Sequence, residues 1–347
     1  MGVMCNILVN RTPRDFYTPG EPVTGIVKYA VDEETKFEDI VLSYVGKGHC
    51  SWSENTGTGK HRRTRHYSGT EEIFRINLSI LPKDKAQDNT VALPTGAYEA
   101  PFQFITPHNI PPTYKDHTGE ISYKLKVKFK RPGIFETNKK FHTAINIKSQ
   151  ANPVVPQEPI VYGIDKTLVT MFSSKKNRIN VQAEIQKSYL RAGDRAELRL
   201  VVNNDSRVTI PRVQAGIYEK RTYTASCGKT KRIYKYIKAS KTRSPTIPDR
   251  SVSNFTLSVP STAELFTIQN CRVVAKEYFV KVTLKLPMPY INASVEIPVV
   301  ISGAELVEVN ELTVSMPSTS AGPSTEAPPT YEEAMHDTVP TYKKMPL

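Results

Sequence analysis

The sequence predicts an all-β protein built as two tandem immunoglobulin-like antiparallel β-sandwiches, followed by a disordered C-terminal tail. Three observations carry this expectation. Segments of strict period-two alternation recur through the first 300 residues, and no helical stripe of ten or more residues interrupts them in the first half. A proline-rich break falls near the middle of the chain. The second half then repeats turn and strand signals of the first in the same order.

The first half shows the alternation most clearly. Phe74, Ile76, Leu78 and Ile80 alternate with Arg75, Asn77 and Ser79. Tyr98, Ala100, Phe102 and Phe104 follow Pro94-Thr95-Gly96 in the same way. Ile121, Tyr123, Leu125, Val127 and Phe129 are interleaved with Ser122, Lys124, Lys126 and Lys128. Such strands bury one face and wet the other, as an antiparallel sandwich requires. These signals place a first sandwich at 1–148. Three prolines without continuing alternation mark a linker at 149–160, and a second sandwich follows at 161–302.

The repeat is visible in two matched signals. Tyr17-Thr18-Pro19-Gly20-Glu21 precedes a strand from Val23 to Val31, and Tyr189-Leu190-Arg191-Ala192-Gly193-Asp194 precedes Ala196, Leu198, Leu200 and Val202. Each is a tight turn with glycine where the backbone must be unhindered and an acid beside it. Later, Tyr123 leads to Pro132 and Tyr278 to Pro287 at equal spacing, each proline ending an alternating strand. Further alternating strands follow, Phe141 to Ile147 and Val295 to Ile301.

Composition narrows the function classes. The 347 residues suffice for two domains with their own cores. The longest apolar runs are a few residues, too short for a membrane-spanning helix. The start of the sequence has no charged region leading into an apolar core, so no secretory signal is expected. Met1-Gly2 has Asn6 where a myristoylation pattern needs Ser or Thr, and Ile7-Leu8-Val9 reads as the start of a strand. Cys5, Cys50, Cys227 and Cys271 are far apart, which fits reduced thiols of a cytosolic protein better than a disulfide framework or zinc knuckle. No phosphate loop, nucleophile elbow or metal-spaced histidine pair is present; His61 and His66 sit five apart. The chain is therefore expected to be no enzyme and to need no cofactor and no metal.

Charge is unevenly placed. The net charge is +13, but from Gly303 onward seven acids face two lysines, leaving about +18 on the residues before. The densest basic run holds Lys229, Lys231, Arg232, Lys235, Lys238, Lys241 and Arg243 with Tyr234 and Tyr236 between them. Three readings stand: a solvated strand face, a contact for anionic lipid or phosphorylated cargo, or a nucleic-acid surface. The last lacks any accompanying recognition module. Lys60-His61-Arg62-Arg63, with Arg65 and His66, is expected to form an exposed loop.

Pro-Pro-x-Tyr occurs twice. Consecutive prolines favour a polyproline II ridge, which WW domains accept in aromatic-lined grooves. Pro111-Pro112-Thr113-Tyr114 lies between two predicted strands, where a loop pinned at both ends seldom frees a ridge. Pro328-Pro329-Thr330-Tyr331 lies in the tail 303–347, after a Ser/Thr/Pro-rich stretch that cannot bury enough apolar surface to fold. Pro328, Pro329 and Tyr331 are thus the expected WW-binding residues. Val339-Pro340-Thr341-Tyr342 is a weaker echo, with Pro340 and Tyr342 as a second site for a tandem WW array. Leu306-Val307-Glu308-Val309-Asn310 is better read as strand continuation than as a clathrin-box peptide.

The glycine-acid turn before the second strand, Ile121-Ser122-Tyr123-Lys124-Leu125 running to Arg131-Pro132, and the segment from Cys271 to Pro287 resemble the arrestin fold. With the tail peptide, the chain resembles an α-arrestin, or arrestin domain-containing protein, over residues 1 to about 302. The resemblance implies a cytosolic adaptor, recruited to plasma membrane and endosomes, that links membrane-protein cargo to a WW-domain HECT-type ubiquitin ligase for ubiquitin-dependent endocytosis and sorting. The alternative is a signalling or trafficking scaffold that binds phosphorylated receptor tails or a coat complex through its basic body, without a ligase.

Overall fold

Strand alternation is converted into two β-sandwiches in a computed structural model, which describes residues 2–57, 62–81, 90–132, 139–148, 160–168 and 177–303. Among the described residues the first has ten strands. In chain order these are β1 (Val3–Val9), β2 (Pro22–Val31), β3 (Thr35–Phe37), β4 (Asp39–Thr56) and β5 (Arg63–Ser79). They are followed by β6 (Val91–Leu93), β7 (Gly96–Ile105), β8 (Tyr114–Lys115), β9 (Gly119–Lys130) and β10 (Lys139–Ile145). One sheet has the order β1-β2-β7, the other β10-β9-β4-β5 with β8 also on β9, and β3 pairs with β6. Val27, Tyr29 and Phe104 of the first sheet meet Leu42, Tyr44, Leu125 and Phe129 of the second in one buried cluster.

The second sandwich has β11 (Ile160–Leu168), β12 (Asn177–Ile185), β13 (Tyr189–Arg191), β14 (Arg195–Asn204) and β15 (Arg212–Thr224). Its later strands are β16 (Thr230–Tyr236), β17 (Thr242–Arg243), β18 (Ser251–Pro260), β19 (Val274–Lys285) and β20 (Ala293–Ser302). Sheet β11-β12-β14-β18 packs on β13-β20-β19-β15-β16, with β17 also on β15. Its core is aliphatic, with Val181, Leu198, Leu200 and Val202 facing Ile217, Val280, Val282 and Ile297. β11 begins at Ile160, the last residue of the expected linker; 149–159 lie outside the described residues. The tail from 304 onward, with Leu306–Asn310 and both tail motifs, also lies outside them.

Local chemistry explains the predicted elements. On β9, Ile121, Tyr123, Leu125, Val127 and Phe129 are each at most 1 % exposed, so the strand is fixed in register by its apolar face. Each such side chain contributes about 1.5–3 kcal/mol on burial. The two glycine-acid turns have the same construction. Gly20 and Gly193 adopt φ of 87° and 95°, a region that penalises any Cβ. The carboxylate that follows accepts a hydrogen bond from the amide three residues back, Glu21 from Thr18 at 2.8 Å and Asp194 from Arg191 at 3.0 Å.

One expectation is corrected here. Arg63, Arg65 and His66 are not in a loop: they belong to β5, whose pairing with β4 extends to Thr56 opposite Arg63. Cross-strand bonds such as Ser53 Oγ to His66 Nδ1 at 2.8 Å hold a Gly/Ser/Thr-rich segment in a ladder that its composition alone does not favour. The first strand also starts earlier than expected, at Val3.

Candidate functional site

The two sandwiches meet along a junction whose chemistry is set by two strands of the second. β15 and β19 lie side by side, with Glu219 opposite Tyr278, Arg221 opposite Lys276 and Tyr223 opposite Val274. Period-two alternation points these residues inward, in the same rows as Ile217 and Val280, yet several are polar or charged. The loop carrying β8 covers them from the first sandwich.

Asp116 in that loop is the hub. One carboxylate oxygen accepts from the amides of Thr118 and Gly119 at 2.9 and 2.7 Å. The other accepts from the Tyr114 hydroxyl at 2.6 Å, from the Tyr223 hydroxyl, and from Arg221 at 3.2 Å. Burial works against its charge, but the hydroxyl and amide donors outweigh it and hold the carboxyl down at about 2. Burial and Asp116 in turn push the Tyr223 hydroxyl up to about 12. Arg221 also pairs with Glu219 at 2.6 Å, and the Tyr278 hydroxyl donates to Glu219 at 2.9 Å. Lys276 is 5 % exposed, with its ammonium 3.3 Å from the centroid of Phe266 and 5.4 Å from that of Tyr114. Burial pushes this amine down to about 8.

Around this polar centre the contact is close. A Cβ on Gly69 would lie 2.4 Å from the Thr224 carbonyl oxygen, so only glycine lets the backbones approach. The Cys50 thiol donates to the same oxygen at 3.3 Å, and the Ser226 amide donates to the Ser68 carbonyl at 2.9 Å. Arg272 clamps Glu71 through its amide at 2.6 Å and its Nε at 2.9 Å. Tyr223, Ile268, Cys271, Val273 and Val274 of the second sandwich belong to the apolar cluster of the first. The arrangement joins the two sandwiches through a hydrogen-bonded charge network. Among the described residues, no group of three or more His, Cys, Asp or Glu is placed to hold a metal ion.

The sequence reading missed Asp116, Glu219, Arg221 and Lys276. The signal that could have found the last three is a charged residue falling at an inward position of an otherwise apolar alternating strand.

The basic run singled out from sequence is divided by its strand. Lys231 and Lys235 stand opposite Tyr223 and Glu219, on the junction face, while Arg232 stands opposite Thr222 on the other face. Lys229 lies 3.7 Å from Glu54 and near the Tyr67 ring, and Lys238 is exposed on a single-turn 3-10 segment. The run does not form one surface.

The internal Pro-Pro-x-Tyr is consumed by the fold. Pro111 and Pro112 are buried. The Pro111 carbonyl accepts from the Tyr123 hydroxyl at 2.5 Å, the Thr113 amide donates to the Ile147 carbonyl, and the Tyr114 hydroxyl is held by Asp116. No ridge is left for a partner.

Comparison with known proteins agrees with this architecture. The family model of the arrestin (or S-antigen) N-terminal domain matches residues 5–152, and that of the C-terminal domain matches residues 175–305. Arrestin domain-containing protein 17 of Caenorhabditis elegans is 23% identical over 308 residues, covering 83% of this chain and 70% of that protein. Arrestin domain-containing protein 1 of Homo sapiens is 22% identical over 321 residues, covering 91% and 67% respectively. The Mus musculus protein of that name is 22% identical over 318 residues, covering 90% and 67%.

Proposed function

The chain belongs to the arrestin family, among the arrestin domain-containing proteins or α-arrestins, and on that premise we propose that it couples membrane-protein cargo to a WW-domain HECT-type ubiquitin ligase. The family consists of adaptors rather than enzymes. The observation that carries the finer reading is the contrast between the two Pro-Pro-x-Tyr copies. One is buried between β7 and β9, and the other, Pro328 to Tyr331, lies beyond the last strand among the described residues, which ends at Ser302.

In this reading the two sandwiches bind cargo and the tail binds the ligase. Catalysis belongs to the ligase; the adaptor raises its effective concentration beside cargo lysines. Recruitment to plasma membrane and endosomes follows from the cargo. Pro328 and Pro329 supply the ridge, and Tyr331 fills the second pocket. Pro340 and Tyr342 would engage a neighbouring WW domain, adding avidity.

Titration of the full chain against an isolated tandem WW array tests this. Tyr331→Ala should weaken binding at least about tenfold, and Tyr342→Ala less, since linkage multiplies a weak second contact. Equal affinity of wild type and Tyr331→Ala would remove the ligase from the proposal and leave the scaffold reading.

A further inference from the structure

The outer face of the sheet β10-β9-β4-β5 carries a field of cations that the strand register assembles. Lys124, Lys126, Lys128 and Lys130 are the outward residues of β9, alternating with the buried Tyr123, Leu125, Val127 and Phe129. On one side Lys140 of β10 stands opposite Lys128, and His142 opposite Lys126. On the other, β4 places Ser43 opposite Lys126 and Val45 opposite Lys124, and β5 adds Arg75 opposite Val45. Lys47 follows two residues later on β4.

Neutralisation on this face is sparse. Glu72 holds Arg75 at 2.6 Å and lies 3.9 Å from Lys47, and Asp39 lies 3.9 Å from Lys130. Glu120, at the far end of β9, lies 3.6 Å from Lys115. For Lys124, Lys126, Lys128 and Lys140, no ion pair is formed with any described residue. Burial first, then the charges of Lys47, Lys124 and Arg75, lower the pKa of Lys126. Val45, on this outward face, is 1 % exposed and is flanked in register by Lys124 and Arg75.

We propose that this sheet face is a membrane-docking surface that binds the anionic phospholipid headgroups of a bilayer. Spacings of about 4.8 Å between strands and about 6.8 Å between outward residues spread the charge over a broad face. The residues between the cations are short, Ser43, Asn77 and Ser79, and build no cleft around a single phosphate. Such a layout suits the spread charge of a lipid surface better than the point contacts of a phosphorylated peptide, which are made by converging donors. The proposal deepens the adaptor reading and rests on it for its setting, since it names the surface the adaptor turns toward the membrane.

The test is partition of the full chain onto vesicles of phosphatidylcholine with about 30% phosphatidylserine, compared with phosphatidylcholine alone. Lys124→Gln/Lys126→Gln/Lys128→Gln should lower partition roughly a hundredfold, about fivefold per charge removed. Lys231→Gln/Arg232→Gln/Lys235→Gln should lower it by less than about tenfold, because its charges point to two faces. Wild-type partition should collapse between about 0.05 M and about 0.5 M salt, a check that needs no variant. A thermal melt of the first triple variant matching wild type shows that the fold is intact. Equal partition of that variant and wild type, salt-independent partition, or a larger loss from the second triple variant would overturn the proposal. So would failure to bind vesicles together with tight binding of a multiply phosphorylated peptide to the same lysines. Failure of this reading is distinguishable from failure of ligase recruitment: Tyr331→Ala leaves vesicle binding intact, and the first triple variant leaves WW binding intact.

Discussion

The two sandwiches share a plan but fill it with different matter. The first is packed with rings: Tyr29, Phe37, Tyr44, Phe104, Tyr123 and Phe129 are all buried, and Tyr44 meets Phe74 edge-on with centroids 4.8 Å apart. The second is aliphatic apart from Tyr278, whose hydroxyl serves the junction. Rings bring large contact area and, in tyrosine, a polar tip that must find a partner. Tyr123 finds the Pro111 carbonyl and so fixes the loop that carries Asp116. The aromatic core therefore reaches outward and continues into Tyr223 and Val274, whereas the aliphatic core closes on itself. A lesson about coupling follows: damage to the first core should reach the junction, and damage to the second should not.

The strongest test is a pair of core truncations. Tyr123→Ala should cost about 3–5 kcal/mol, and Leu200→Ala about 2–5 kcal/mol, in denaturant unfolding. The chain's one tryptophan, Trp52, is buried in the first sandwich and stacks on Tyr67 at 5.5 Å, so its emission reports that sandwich. Tyr123→Ala should move the Trp52 transition to lower denaturant, and Leu200→Ala should leave it in place. Equal shifts in both variants would show a single cooperative unit and erase the contrast.

A smaller effect is expected at the junction itself. Gly69→Val forces a side chain against the Thr224 carbonyl and should cost about 1–3 kcal/mol, read as easier proteolysis between the sandwiches with Trp52 emission little changed. If it unfolds the first sandwich instead, the junction and the aromatic core are one body.

Lys276→Met should have the smallest effect at neutral pH, since burial already disfavours the charged amine and methionine keeps an apolar chain against Phe266. Its signature is a slope. The unfolded lysine titrates near 10.5 and the buried one near about 8, so between these values the unfolded chain holds a proton the folded one has released. Stability from this group therefore rises with pH through that window and is flat below it. The difference between wild type and Lys276→Met should show that rise; a flat difference from pH 8 to pH 10.5 would place the amine in contact with water.

Much of the fold was legible because its determinants are local. Alternation on β9 and the paired glycine-acid turns at Gly20 and Gly193 need no knowledge of the rest of the chain. The long β4–β5 hairpin was not legible, because Thr56 and Arg63 are ordered by a ladder begun many residues earlier. The junction was hidden for a related reason. Arg221 and Lys276 are 55 positions apart and meet only through strand register. The cation field needed the sheet order, since Lys140, Lys126 and Arg75 lie on three strands. The tail motifs were legible as peptides, and their setting lies beyond the described residues.

The buried copy of Pro-Pro-x-Tyr bears on how such adaptors are counted. An array of overlapping synthetic peptides would display the Pro111 and Pro328 copies side by side. The intact molecule withholds the first, whose prolines are walled in and whose tyrosine is engaged by Asp116. If the proposed WW binding holds, a valency read from peptides would overstate that of the native chain by one. Native-state stoichiometry, measured by mass, is the quantity that describes what this molecule assembles.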